Sequence, residues 1–87
     1  MSLNYFDYEL IPHHMMENIK MYVAKKWKLG GFLEAVFSND LFKACGAADH
    51  INLPLIPVYV NYIWNKCPTD CHGNREKVEN WLKGKSE

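Results

Sequence analysis

Cys67, Cys71 and His72 make a C-x-x-x-C-H cluster, the densest group of metal-ligating and nucleophilic side chains in the chain. Thiolates and imidazoles are zinc ligands, and a structural zinc site takes four of them. Cys45 and His50 could complete the set only through a long-range fold. The paired C-x-x-C or C…H spacing of zinc knuckles is absent. Metal binding therefore ranks behind a plainer reading, in which this tight loop holds one buried Cys and one exposed His. A Cys67–Cys71 disulfide is sterically conceivable, although a reducing cytosol disfavours it. Cys45 could act as a nucleophile with His50 as its base. Against that, no oxyanion hole is marked, and Cys45 falls on the apolar side of a helix, where a small buried thiol is common. The sequence thus predicts no catalytic residue, no resident metal and no cofactor.

The other polar groups also have structural readings. His13 and His14 are adjacent, so on a helix they point about 100° apart and share a metal poorly; one packed and one solvated ring is expected. Gly30-Gly31-Phe32 lacks the G-x-x-x-x-G-K-[S/T] pattern of a phosphate loop. Asn39, Asp40, Asp49 and Asn52 bracket one short helix, where short polar side chains cap the ends for about 1 kcal/mol per site. Their sharper reading is a polar network that orients neighbouring helices, or a recognition patch. Lys20, Lys25, Lys26 and Lys28 are the one basic cluster. A solvated helix end is its ordinary meaning, and binding of an anionic partner is the alternative. No Arg, Asn or Gln stands among them to read base edges.

The elements that must position these groups follow from spacing. Met15, Ile19, Tyr22, Val23 and Trp27 recur at helical intervals and predict a helix from Pro12 to Trp27. Pro12 suits its start, lysines suit its end, and Gly30 and Gly31 stop it. Gly31 to Phe37 predicts one or two further helical turns. Ser38 or Asn39 then caps a third helix, with Asp40 in its first turn, running to about Ala48. Leu53 to Trp64 is rich in β-branched and aromatic residues, which favour strands. Two prolines within four positions disfavour a central strand but are tolerated in a first helical turn. The spacing predicts a helix from Pro54 to Asn65, apolar almost all round and so central or in an interface. Pro68 to Gly73 is a loop. Asn74 caps a last helix whose inner face carries Val78, Trp81 and Leu82, and Gly84 ends it. The expected fold is all-α: a small bundle of four to five short helices in a single domain, residues 4–86. Met1-Ser2-Leu3 and Glu87 read as vector-derived additions.

Composition sets outer limits. The 87 residues are 48% hydrophobic and 14% aromatic, enough for a core, and the formal net charge is zero. A neutral chain lacks the excess of cations that drives bulk nucleic-acid binding. No apolar run approaches the roughly 20 residues that span a bilayer, and no secretory signal pattern opens the chain. Three cysteines, an odd number, argue against a disulfide-stapled secreted scaffold. With 3 Trp, 5 Tyr and 4 Phe, the apolar load is heavy for a domain of this size, so part of it is expected in an interface.

The stretches Ile11-Pro12-His13-His14-Met15, Gly30-Gly31-Phe32-Leu33-Glu34-Ala35-Val36, Ser38-Asn39-Asp40-Leu41 and Ala48-Asp49 with Asn52, together with the tail from Cys67-Pro68 to Trp81-Leu82, form a joined pattern. The pattern resembles a group of short uncharacterised proteins encoded by bacteriophages and prophages, over most of residues 10–83. Pro54 and Pro57 depart from that group. The resemblance implies a phage-related helical protein of the host-cell cytoplasm, and it carries over no activity and no functional residue. The functional expectation is a non-catalytic protein–protein interaction module, an accessory factor acting on a host or phage protein or pairing with its own copy. A nucleic-acid-binding helical domain is the alternative, and a Cys/His metal protein comes third.

Overall fold

Left-handed backbone at two non-glycine residues, Lys26 at φ 59° and Asn39 at φ 62°, turns the chain between its first three helices. A computed structural model describes residues 4–84. The presumed additions, residues 1–3 and 87, lie outside the described residues. Five α-helices follow one another: α1 (His13–Lys25), α2 (Gly31–Phe37), α3 (Leu41–Ala47), α4 (Ile56–Lys66) and α5 (Arg75–Leu82). Single 3-10 turns occupy Tyr8–Leu10, Leu53–Leu55 and Thr69–Cys71. No strand occurs among the described residues, and the fold is all-α.

Helix α1 begins as its proline predicts. The Pro12 carbonyl accepts the Met15 and Met16 N–H groups, each at 3.0 Å. The helix ends two residues before Trp27, and not at the glycines. Lys26 enters the left-handed region while its N–H donates to the Tyr22 carbonyl at 3.0 Å. The Lys26 ammonium lies 3.3 Å from the centroid of the Trp81 ring, a cation–π contact that holds the turn. Trp27, past this turn, leaves the inner face and is 60% exposed. Gly30 and Gly31 open α2 instead, with the Gly30 carbonyl accepting the Glu34 N–H at 2.9 Å.

Helix α2 buries Phe32, Leu33, Ala35 and Phe37. It ends in a Schellman-type turn. Asn39 occupies the left-handed position, its N–H donating to Val36 at 3.1 Å, and the Asp40 N–H donates to Ala35 at 2.9 Å. The turn folds α3 back onto α2. Neither Ser38 nor Asn39 caps α3. Asp40 does, its carboxylate accepting the Lys43 N–H at 3.1 Å. Of α3, only Ala44 is buried. Cys45 is exposed, which corrects the expectation of a buried thiol.

The ambiguous apolar segment is helical. Pro54 sits in the 3-10 lead-in and Pro57 in the first turn of α4, where neither ring removes an intrahelical bond. Helix α4 is not enclosed all round. Ile56, Val58, Tyr59 and Ile63 face the core, whereas Val60 and Trp64 are 50% and 74% exposed. The core joins all five helices and the loop before α5, with Ile19, Tyr22, Phe37, Val58, Tyr59, Cys71 and Val78 fully buried. Edge-to-face ring pairs tie it together: Tyr22–Phe37 at 4.8 Å and Phe32–Tyr59 at 5.3 Å between centroids.

Candidate functional site

Ile56, Val60 and Trp64 stand four residues apart and form one ridge along α4. Across from it lie Val36 of α2 and Leu41 and Ala44 of α3. Between these walls run two adjoining hollows that share Val36, Asn39 and Val60. The larger, about 190 Å³, is floored by Phe37 and Ile63 and closed at one end by Trp64, His72 and Gly73. The smaller, about 50 Å³, extends toward Leu41, Ala44 and Ile56. Together they make a single shallow apolar groove. Its exposed lips are Val60, Trp64 and Leu41, the last 60% exposed.

The polar end of the groove is His72. Its ring meets Trp64 edge to face, with centroids 6.5 Å apart. Its Nε2 is buried and has no hydrogen-bond partner. Burial, joined by the positive charge of Lys77, holds the imidazole below its ordinary pKa, although a hydrogen bond with the Cys67 backbone opposes this. At neutral pH the ring is therefore uncharged. The neighbouring Gly73 N–H donates to the Phe37 carbonyl at 2.8 Å, which pins this wall to α2. His72 is thus a half-buried wall residue, where the sequence reading had an exposed ring.

The thiols sit behind that wall. Cys71 is fully buried and Cys67 half-buried. The Tyr22 hydroxyl donates to the Cys71 carbonyl at 2.7 Å and anchors the loop in the core. Among the described residues, no three His, Cys, Asp or Glu side chains gather as metal ligands. His50 is exposed, and His13 and His14 are both exposed, where one packed ring was expected. His13 instead lies 3.7 Å from Glu17 on the surface of α1.

Asn39, Asp40, Asp49 and Asn52 do not form one patch. Asn39 lines the groove and Asp40 caps α3 while lying 3.6 Å from Arg75. Past the other end of α3, the Asp49 carboxylate accepts the N–H groups of Ile51 and Asn52 at 3.1 and 2.8 Å. Asn52, 7% exposed, accepts the Tyr59 hydroxyl at 2.7 Å. This second pair orients α4 against the α3–α4 loop. Of the lysines, Lys20, Lys25 and Lys28 are exposed, whereas Lys26 is half-buried against Trp81. The Ile56–Val60–Trp64 ridge was not singled out from the sequence. Its only signal was four-residue spacing inside a helix with apolar residues at nearly every position.

No protein-family model matches the chain, and neither a curated protein nor a solved structure matches it.

Proposed function

We propose that the chain is a small, non-catalytic helical protein–protein interaction module and that the groove between α4 and the α2–α3 pair is its docking face. The observation that carries this reading is the α4 ridge. A tryptophan 74% exposed and a valine 50% exposed flank a continuous apolar groove. Exposed aromatic and aliphatic side chains around a concavity are the features that interfaces bury. One end of the groove carries the uncharged His72, whose buried Nε2 has no partner and is suited to fix the register of a largely apolar partner segment, and Asn39 and Asp40 add polar groups further along. The phage resemblance adds a setting: an accessory factor in the host-cell cytoplasm. No helix among the described residues is long and apolar enough to cross a membrane.

The test is site-specific photocrosslinking. A benzophenone side chain replaces Val60 in one variant and exposed Lys20 in another, and each is irradiated in lysate of phage-infected cells. The Val60 probe is expected to give discrete protein adducts that the Lys20 probe does not, and Trp64→Ala is expected to abolish them. An adduct of twice the chain mass identifies a homodimer. Equal, diffuse labelling from both positions refutes the docking face.

A further inference from the structure

The thiol pair behind the groove has a geometry that docking does not use. Cys67 ends α4, its N–H donating to the Ile63 carbonyl at 3.1 Å. Pro68 turns the chain, and the 3-10 turn Thr69–Cys71 brings Cys71 back, its N–H donating to the Pro68 carbonyl at 3.2 Å. The Cys71 Sγ lies 3.1 Å from that same oxygen. The two side chains are within hydrogen-bond reach of each other. Cys67 is open to solvent on one side, Cys71 is sealed, and the fold brings no third metal-ligating side chain to the pair among the described residues.

We propose that Cys67 and Cys71 form an intramolecular thiol–disulfide site that hydroperoxides oxidise, with Cys67 the attacking thiol and Cys71 the resolving one. The Cys67 thiolate attacks the terminal oxygen of the peroxide, and the O–O bond breaks. Cys67 becomes a sulfenic acid, and hydrogen peroxide leaves one water. The Cys71 sulfur then attacks the Cys67 sulfur, the S–O bond breaks, and a second water leaves carrying the Cys71 proton. Two thiols and one peroxide give one disulfide and two waters.

The surroundings assist each step. The lone S–H of Cys71 has two acceptors in reach, the Pro68 carbonyl and the Cys67 sulfur. Turned toward Cys67, it stabilises the thiolate and draws that group below the ordinary thiol range, against the opposing effect of burial. Cys71, the donor and the buried partner, is pushed up and stays protonated until its turn. The resolving thiol is already beside the oxidised sulfur, and this proximity favours ring closure over further oxidation. Cys45 is exposed but has no such neighbour. The site stands independently of the docking reading.

The experiment titrates the reduced full chain with hydrogen peroxide at neutral pH and maps peptides without reduction. The expected product is one chain lighter by two hydrogens, linked Cys67 to Cys71. Its free thiols fall from three to one, and dithiothreitol restores them. In Cys71→Ser, dimedone is expected to capture a sulfenic acid at Cys67. Consumption of Cys45 while Cys67 and Cys71 stay reduced would overturn the proposal, as would products linked only between chains. The wild-type mapping decides the matter even where the variant does not fold.

Discussion

Tyr59→Phe removes one oxygen from the centre of the molecule and changes little else. The ring stays against Phe32, so no cavity opens. The lost group is a hydroxyl on a fully buried residue that donates to the Asn52 side-chain Oδ1 at 2.7 Å. Asn52 is itself 7% exposed, so water reaches it poorly. The variant forfeits the bond and leaves a buried acceptor without a donor, a combined cost of about 2 kcal/mol. For a chain of this size that corresponds to a fall in Tm of roughly 8–16 °C. Urea unfolding is expected to show a lower midpoint with an unchanged slope, because the surface exposed on unfolding is the same. Adding Asn52→Leu to Tyr59→Phe is expected to cost less than the sum of the two single changes, since both ends of the bond are then apolar. An unfolding free energy within about 0.5 kcal/mol of wild type, or strict additivity in the double variant, would show that this hydrogen bond does not hold α4 to the α3–α4 loop.

The buried phenols make a second expectation. Burial, aided by the charge of Asp49, pushes Tyr59 from 10.0 up to about 12, and burial also raises Tyr22. The folded state therefore keeps protons that the unfolded chain releases; stability is complete below pH 10 and is lost as pH rises from 10 toward 12. Urea midpoints measured across that range are expected to fall, and less steeply in Tyr59→Phe; a flat profile contradicts the burial. Gly73→Ala places a Cβ at φ +125°, with only ordinary contact to Lys77 at 3.5 Å, so its cost is backbone strain of about 1–3 kcal/mol. Thermal denaturation checks this, and an unchanged Tm would mean that the wall beside His72 has another conformation. Asp40→Ala removes the cap of α3 and is expected to cost about 1 kcal/mol, while Ser38→Ala, which loses no capping bond, costs less in the same assay.

The helices were legible where a local rule had no competitor. Pro12 and Asn74 mark helix starts, and Pro54 with Pro57 decide helix over strand, because each acts on its own few backbone bonds. The end of α1 was not legible. Gly30 and Gly31 are the usual terminators, yet Lys26 takes the left-handed turn with its side chain laid on Trp81, a residue far along the chain that local spacing cannot supply. Trp27 then leaves the periodic face. The capping role of Asn39 failed for a similar reason, since the residue is spent on turning α2 into α3. That the Cys67–His72 loop would bury one thiol was legible, though not which one, and the pairing of Asn52 with Tyr59 and the groove beside Trp64 depend on how α4 lies against α2 and α3. Short polar residues near helix ends announce caps. They do not announce which of them will face a phenol across a loop.

Tyr22 also bears on the order in which the molecule can assemble. Its hydroxyl grips a carbonyl 49 residues downstream, and its own carbonyl receives the indole N–H of Trp81, 59 residues downstream. A chain still emerging from the ribosome carries α1 early but lacks these partners until Cys71 and Trp81 have been made. Long-range closures of this kind slow folding and leave early apolar faces uncovered. The nascent protein thus stays open until α5 has emerged, and truncation ahead of Trp81 would strip the first helix of its indole anchor.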